Sequence, residues 1–84
     1  MYNPQLETFL RVADAGSFSK AAEESDITPA AVMKQINLLE ASLSVKLFER
    51  THRGLHLTKA GKTFYQDAKY IIQYCKDSVT RAKN

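Results

Sequence analysis

The chain has 84 residues, of which 44% are hydrophobic and 25% charged, a balance that excludes wholesale disorder and fits one small domain able to bury only roughly 60% of its unfolded surface. No apolar run approaches the ~18 residues of a membrane span, and Met1-Tyr2-Asn3-Pro4 lacks the basic start and greasy core of a secretory leader. A soluble, cytoplasmic protein without a membrane partner is expected. The net charge of +3 is uneven, with −3 on residues 1–45 and +6 on residues 46–84, so a polyanion is drawn mainly toward the second half.

Asn3 before Pro4 reads as an N-cap with proline at the first helical position, and Leu6, Phe9, Leu10 and Ala13 then recur at helical spacing to about Ala15. Gly16 supplies the stop. Ser17 caps a short second helix, Phe18 to about Ser25, whose Ala21 and Ala22 are small enough for another helix to come close. Thr28-Pro29 repeats the cap-plus-proline signal, and Val32, Ile36, Leu39 and Leu43 place an apolar stripe on a third helix. Ala30, Met33, Lys34, Asn37 and Ala41 lie on its opposite face.

At Leu47 the period changes. Leu47-Phe48-Glu49-Arg50 and Leu55-His56-Leu57 read as two short strands bridged by Thr51-His52-Arg53-Gly54, a small basic hairpin with Arg53 at its tip and a positive φ expected at Gly54. Thr58 then caps a last helix of about 24 residues, ~36 Å long. One side of it carries Phe64, Ala68, Ile71, Cys75, Val79 and Ala82, widened by Tyr65 and Ile72. Ala82-Lys83-Asn84 ends this pattern without a Gly or Pro stop, which reads as a chain cut from something longer.

Chemistry-bearing residues are sparse. The lone Cys75 has no disulfide partner and falls on the apolar side of the last helix, while His52 and His56 lack a cluster of further metal ligands. No nucleophile with base and orienting group can be assembled, so no enzyme, cofactor or metal is expected. The second and third helices have helix-turn-helix proportions, and a basic hairpin directly after them is the order a winged helix needs.

The residues Leu6, Phe9, Val12-Ala13, Gly16-Ser17-Phe18-Ser19-Lys20-Ala21-Ala22, Ala31-Val32, Gln35-Ile36, Leu39-Glu40, Leu43, Leu47-Phe48-Glu49-Arg50 and Leu57-Thr58-Lys59-Ala60-Gly61 together resemble the N-terminal domain of LysR-type transcriptional regulators. The resemblance covers nearly the whole chain. It implies a mainly α fold: a winged helix-turn-helix of three helices plus a two-stranded wing over residues 1–58, then a long linker and dimerisation helix over residues 59–84. It also implies a C-terminal, periplasmic-binding-protein-like effector domain absent from this chain. The expected partners are double-stranded DNA and a second copy of the chain, with a tetramer left open for the full-length protein and a small-molecule effector only through the absent domain.

On this reading the DNA-binding residues are Thr28, Pro29, Ala30, Met33, Lys34 and Gln35 on the recognition helix, with Arg50 and Arg53 on the wing. Lys46, Lys59 and Lys62 add phosphate attraction. Pro29 and Met33 depart from the family's polar pair of glutamine and serine, and Ser44 stands where the family tends to have glycine. Met33 is expected to pack on a thymine methyl, since a thioether cannot bond a base edge as a hydroxyl can. Phe64, Ala68, Ile71, Ile72, Cys75 and Val79 are expected to form the dimer interface. A competing reading is a helical protein-interaction module that dimerises without touching DNA, supported by the acidic first half.

Overall fold

The computed structural model describes residues 4–84, and the element order is α1 (Pro4–Ala15), α2 (Phe18–Ser25), α3 (Pro29–Leu43), β1 (Phe48–Thr51), β2 (Gly54–Leu57) and α4 (Lys59–Lys83). The expected cap at Asn3 lies outside the described residues. Ser17, Thr28 and Thr58 each accept a hydrogen bond from the backbone N–H three residues on, satisfying one orphan donor at the start of α2, α3 and α4. Gly16 closes α1 at φ +76°.

The first three helices pack on one another, and α1 packs on α4, around Phe9, Val12, Val32, Ile36, Leu39, Leu47 and Ala68. Ala21 and Ala22, both buried, let α2 come close to this centre. The four phenylalanines form one connected file. Phe9 of α1 lies 5.4 Å from both Phe48 of β1 and Phe64 of α4, and Phe18 of α2 lies 6.3 Å from Phe48 in an edge-to-face arrangement. Four elements are therefore tied through one aromatic cluster. On the rim, the Tyr65 hydroxyl of α4 donates to Asp14 of α1, and that carboxylate raises the phenol above its ordinary value, chiefly by accepting its hydrogen bond.

The hairpin begins one residue later than the sequence pattern places it. Leu47 stays outside β1 because its N–H, together with that of Phe48, donates to Glu40 Oε2 of α3 at 2.7 and 3.2 Å. The antiparallel register pairs Phe48 with Leu57, Glu49 with His56, Arg50 with Leu55 and Thr51 with Gly54, leaving His52 and Arg53 as the turn. Gly54 takes φ +117°, as a turn glycine should. Leu43, expected on the buried stripe of α3, is instead 40% exposed. It sits where α3 ends and lines an open apolar groove of about 670 Å3 with Val45, Ala60 and Phe64.

Two helix ends use left-handed residues that are not glycine. Asp26 and Ser44 both adopt φ 57°, and the amides of the following Ile27 and Val45 close each helix by donating to Ala22 and Glu40 carbonyls. Where α4 begins, the Leu47 carbonyl accepts from Thr58 N at 3.0 Å, and the Thr58 hydroxyl donates to the Lys46 carbonyl at 2.7 Å. This brings Gly61 against Leu47 so closely that a Cβ there would lie 2.1 Å from the Leu47 oxygen.

Two substitutions test these constraints in opposite directions. Gly61→Ala forces α4 away from Leu47 and should cost about 3 kcal/mol, read as a fall in Tm on the order of 10 °C or more by thermal unfolding. Ser44→Gly removes the left-handed penalty of about 1 kcal/mol, partly offset by the greater freedom of glycine in the unfolded chain, and should raise stability by about 0.5 kcal/mol in urea unfolding.

Candidate nucleic-acid interface

The outer side of α3 follows from its buried side. Val32, Ile36 and Leu39 face the core, so helical geometry turns Ala30, Lys34 and Ala41 outward, and all three are exposed. Pro29 and Ala30 keep the leading end slim, while Lys34 supplies a cation between the two flanks of the helix. The Thr28 oxygen accepts from Ala31 N at 3.1 Å, which leaves the hydroxyl proton as a donor at an exposed helix start.

Met33 and Gln35 fall on opposite flanks. Met33, 36% exposed, faces the hairpin, where the Arg50 guanidinium donates from Nη2 to its Sδ at 3.8 Å and lies 4.8 Å over the Phe18 ring. Phe18, Met33, Asn37, Lys46, Arg50 and Leu55 border a cleft of about 230 Å3 between α3 and the hairpin. Arg53 is exposed in the turn, its backbone N–H donating to the Thr51 hydroxyl at 3.1 Å. The contribution of Phe18, which carries the guanidinium, was not legible in the sequence because it depends on a contact between distant segments.

Gln35, expected among the DNA contacts, is placed on the flank that faces α1. It is half-buried, and its amide oxygen accepts from the Thr8 hydroxyl of α1. A step of 100° from Lys34 carries it onto the packed flank, so it braces α1 against α3.

The expected dimer stripe also divides. Ala68 is fully buried and Ile72 nearly so, and Phe64 is packed against Phe9 within the same chain. These three are covered from inside because α1 lies along the first half of α4, which removes Ala68 and Ile72 from a contact surface and leaves Phe64 only its partly exposed edge. Ile71 is 41% exposed, with Tyr70 and Tyr74 more open still, and Cys75 and Val79 are half-buried.

Three helices with a helix-turn-helix at α2 and α3, a basic two-stranded wing and a long terminal helix define a winged helix-turn-helix domain. The family model for bacterial regulatory helix-turn-helix proteins of the lysR family matches residues 4–62, and the chain belongs to that family. It is 42% identical over 79 residues to the HTH-type transcriptional regulator TfdT of Cupriavidus pinatubonensis, covering 94% of this chain and 35% of that protein. It is likewise 42% identical over 79 residues to the HTH-type transcriptional regulator ClcR of Pseudomonas putida, covering 94% of this chain and 27% of that protein.

Among solved structures, the DNA complex of the CbnR DNA-binding domain superposes with a TM-score of 0.92 at 38% identity, covering 99% of this chain and 95% of that one. The BenM DNA-binding domain bound to benA site 1 DNA gives 0.92 at 32% identity, covering 99% and 93%. The chain spans about a quarter to a third of the length of the curated relatives it matches. Among the described residues, no helix is long and apolar enough to cross a membrane.

The division of α4 has a direct check. Ala68→Asp places a charge in the core and should cost about 3 kcal/mol or more, abolishing the cooperative melt of so small a domain. Ile71→Asp, on the open side, should leave the fold of the single chain within about 1 kcal/mol of wild type by circular dichroism at low concentration.

Proposed function

We propose that this chain binds duplex DNA as the reading head of a bacterial transcriptional regulator, with α3 in the major groove and the hairpin tip at the adjacent minor groove. The observation that carries this is the contact of Arg50 with Met33, which fixes a basic hairpin alongside the outer face of α3. A major groove about 12 Å wide admits a helix, and the slim Pro29 and Ala30 end lets this one enter deeply. Thr28, Pro29, Ala30, Met33 and Lys34 form the helix side of the contact, and Arg50 and Arg53 the wing side. The solved DNA complexes of CbnR and BenM domains support the reading by likeness.

The rest of the regulator follows the same reading. Residues 1–58 form the DNA-binding unit and residues 59–84 the linker helix, with effector sensing in a separate C-terminal domain and the intact protein cytoplasmic and non-enzymatic. Ile71 and the neighbouring open surface of α4, together with Cys75 and Val79, join two copies. A dimer sets two α3 helices about one DNA turn apart, ~34 Å, a spacing that α4 at roughly 37 Å is long enough to hold.

The test is binding to a random-sequence duplex pool across a salt series. Wild type should bind with strong salt dependence, and Arg53→Ala should weaken binding to all sequences while lowering the salt slope by about one unit, as expected when one phosphate is no longer neutralised. Absence of wild-type binding at low salt refutes the reading, and an unchanged slope removes Arg53 from the contact.

A further inference from the structure

The guanidinium of Arg50 is held by soft partners. One face lies on the Phe18 ring at 4.8 Å, and Nη2 meets the Met33 sulfur at 3.8 Å. An aromatic face and a thioether hold the planar group by stacking, dispersion and a weak acceptor, and neither neutralises its charge. A guanidinium carries five N–H donors, and the sulfur engages only one direction of that fork. Phe18 opens α2, Met33 lies on the first half of α3 and Arg50 is in β1, so three elements converge on one cation beside the outer face of α3.

This geometry bears on why a thioether stands at position 33. A side chain reading a base must extend outward from α3, where Lys34 is exposed, whereas Met33, at 36% exposure, leans across its flank to set its sulfur on the Arg50 guanidinium. Its length and flexibility suit it to reach a group on another element. Replacing it by alanine or serine would leave the Arg50 fork supported on one side only and free to sample other rotamers, and ordering it on binding would then carry an entropic cost.

We infer that Met33 is a positioning residue, which acts on DNA through Arg50 by orienting its guanidinium toward the phosphate backbone, and that it does not read a base. This rests on the duplex-DNA reading above. The thymine preference expected from the sequence alone belongs to the alternative in which Met33 touches a base directly. Under positioning, Met33 contributes affinity for all sequences alike, and only while Arg50 is present. Under base reading, it contributes selectivity at one position whether or not Arg50 is present.

The experiment is a double-mutant cycle on DNA binding with Met33→Ala, Arg50→Ala and the double variant, using a random-sequence duplex pool and the best site wild type selects from it. Arg50→Lys retains the charge and Met33→Leu retains the bulk without the sulfur, and thermal melts confirm that every variant is folded. Arg50→Ala should weaken binding about 10-fold and lower the salt slope by about one unit. Met33→Ala should weaken binding about 3-fold on pool and site alike, with Met33→Leu between it and wild type, and should change affinity less than about 1.5-fold when Arg50 is already alanine. Arg50→Lys should lose most of the affinity despite its charge, because the fork and the stacking are gone.

An equal loss from Met33→Ala in both backgrounds, or a selected sequence altered by Met33→Ala, overturns the positioning role. Failure of wild type to bind either duplex would instead remove the DNA reading itself, so the two failures are distinguishable.

Discussion

Leu47 is the point on which the arrangement of the reading surface depends. It is fully buried, yet it lies between α3 and the hairpin, outside any regular element that could satisfy its backbone. A buried N–H or C=O left without a partner costs on the order of 1–3 kcal/mol, so both must be met from elsewhere. The Glu40 carboxylate of α3 takes the N–H, and the Thr58 amide at the head of α4 takes the carbonyl. The third helix, the hairpin and α4 are thereby fixed to one residue. Gly61 completes the junction, because only a residue without a side chain lets α4 lie this near the Leu47 oxygen.

That junction explains how a domain of this size holds a two-stranded hairpin steady. An isolated hairpin of four-residue strands is marginal in water. Here Phe48 anchors β1 in the phenylalanine file, and the start of α4 anchors the end of β2 through Thr58. The residues toward the turn are exposed, which leaves them able to meet a partner while their bases stay rigid.

Much of this was written locally in the sequence. Ser17, Thr28 and Thr58 announce their helices because capping is a short-range contest between a side chain and the next turn, and Gly16 and Gly54 mark turns for similar reasons. What stayed hidden depends on distant partners. Periodicity gives a wide apolar stripe on α4 without saying that α1 covers its first half, so Ala68 and Ile72 read as interface when they are core. Leu43 has the spacing of a buried residue but falls at the helix end, where the covering elements run out. Gln35 and Met33 both stand among the DNA-binding residues that the resemblance implies, yet the packed flank claims one and the hairpin the other. Ser44 shows the reverse case: its left-handed conformation is forced by the closing bonds at the end of α3 although the residue itself does not favour it.

The opposite flanks of α3 also differ in charge. Beside Gln35, the surface formed by α1 and the end of α2 carries Glu7, Glu24 and Asp26 with Arg11 among them. Beside Met33 lie Lys46 and Arg50, together with Glu40, whose carboxylate is taken up by the Leu47 and Phe48 amides, and Arg53 is farther out along the hairpin. A uniform basic surface would attract a polyanion without orienting it. A gradient across one helix does both, drawing phosphates toward the wing and disfavouring their approach on the α1 side. Part of the charge imbalance read along the chain is thus placed by the fold on the two flanks of one helix, with Glu7, Glu24 and Asp26 on the Gln35 flank and Lys46 and Arg50 on the Met33 flank, and acidic residues that taken alone argue against nucleic acid become one end of a gradient.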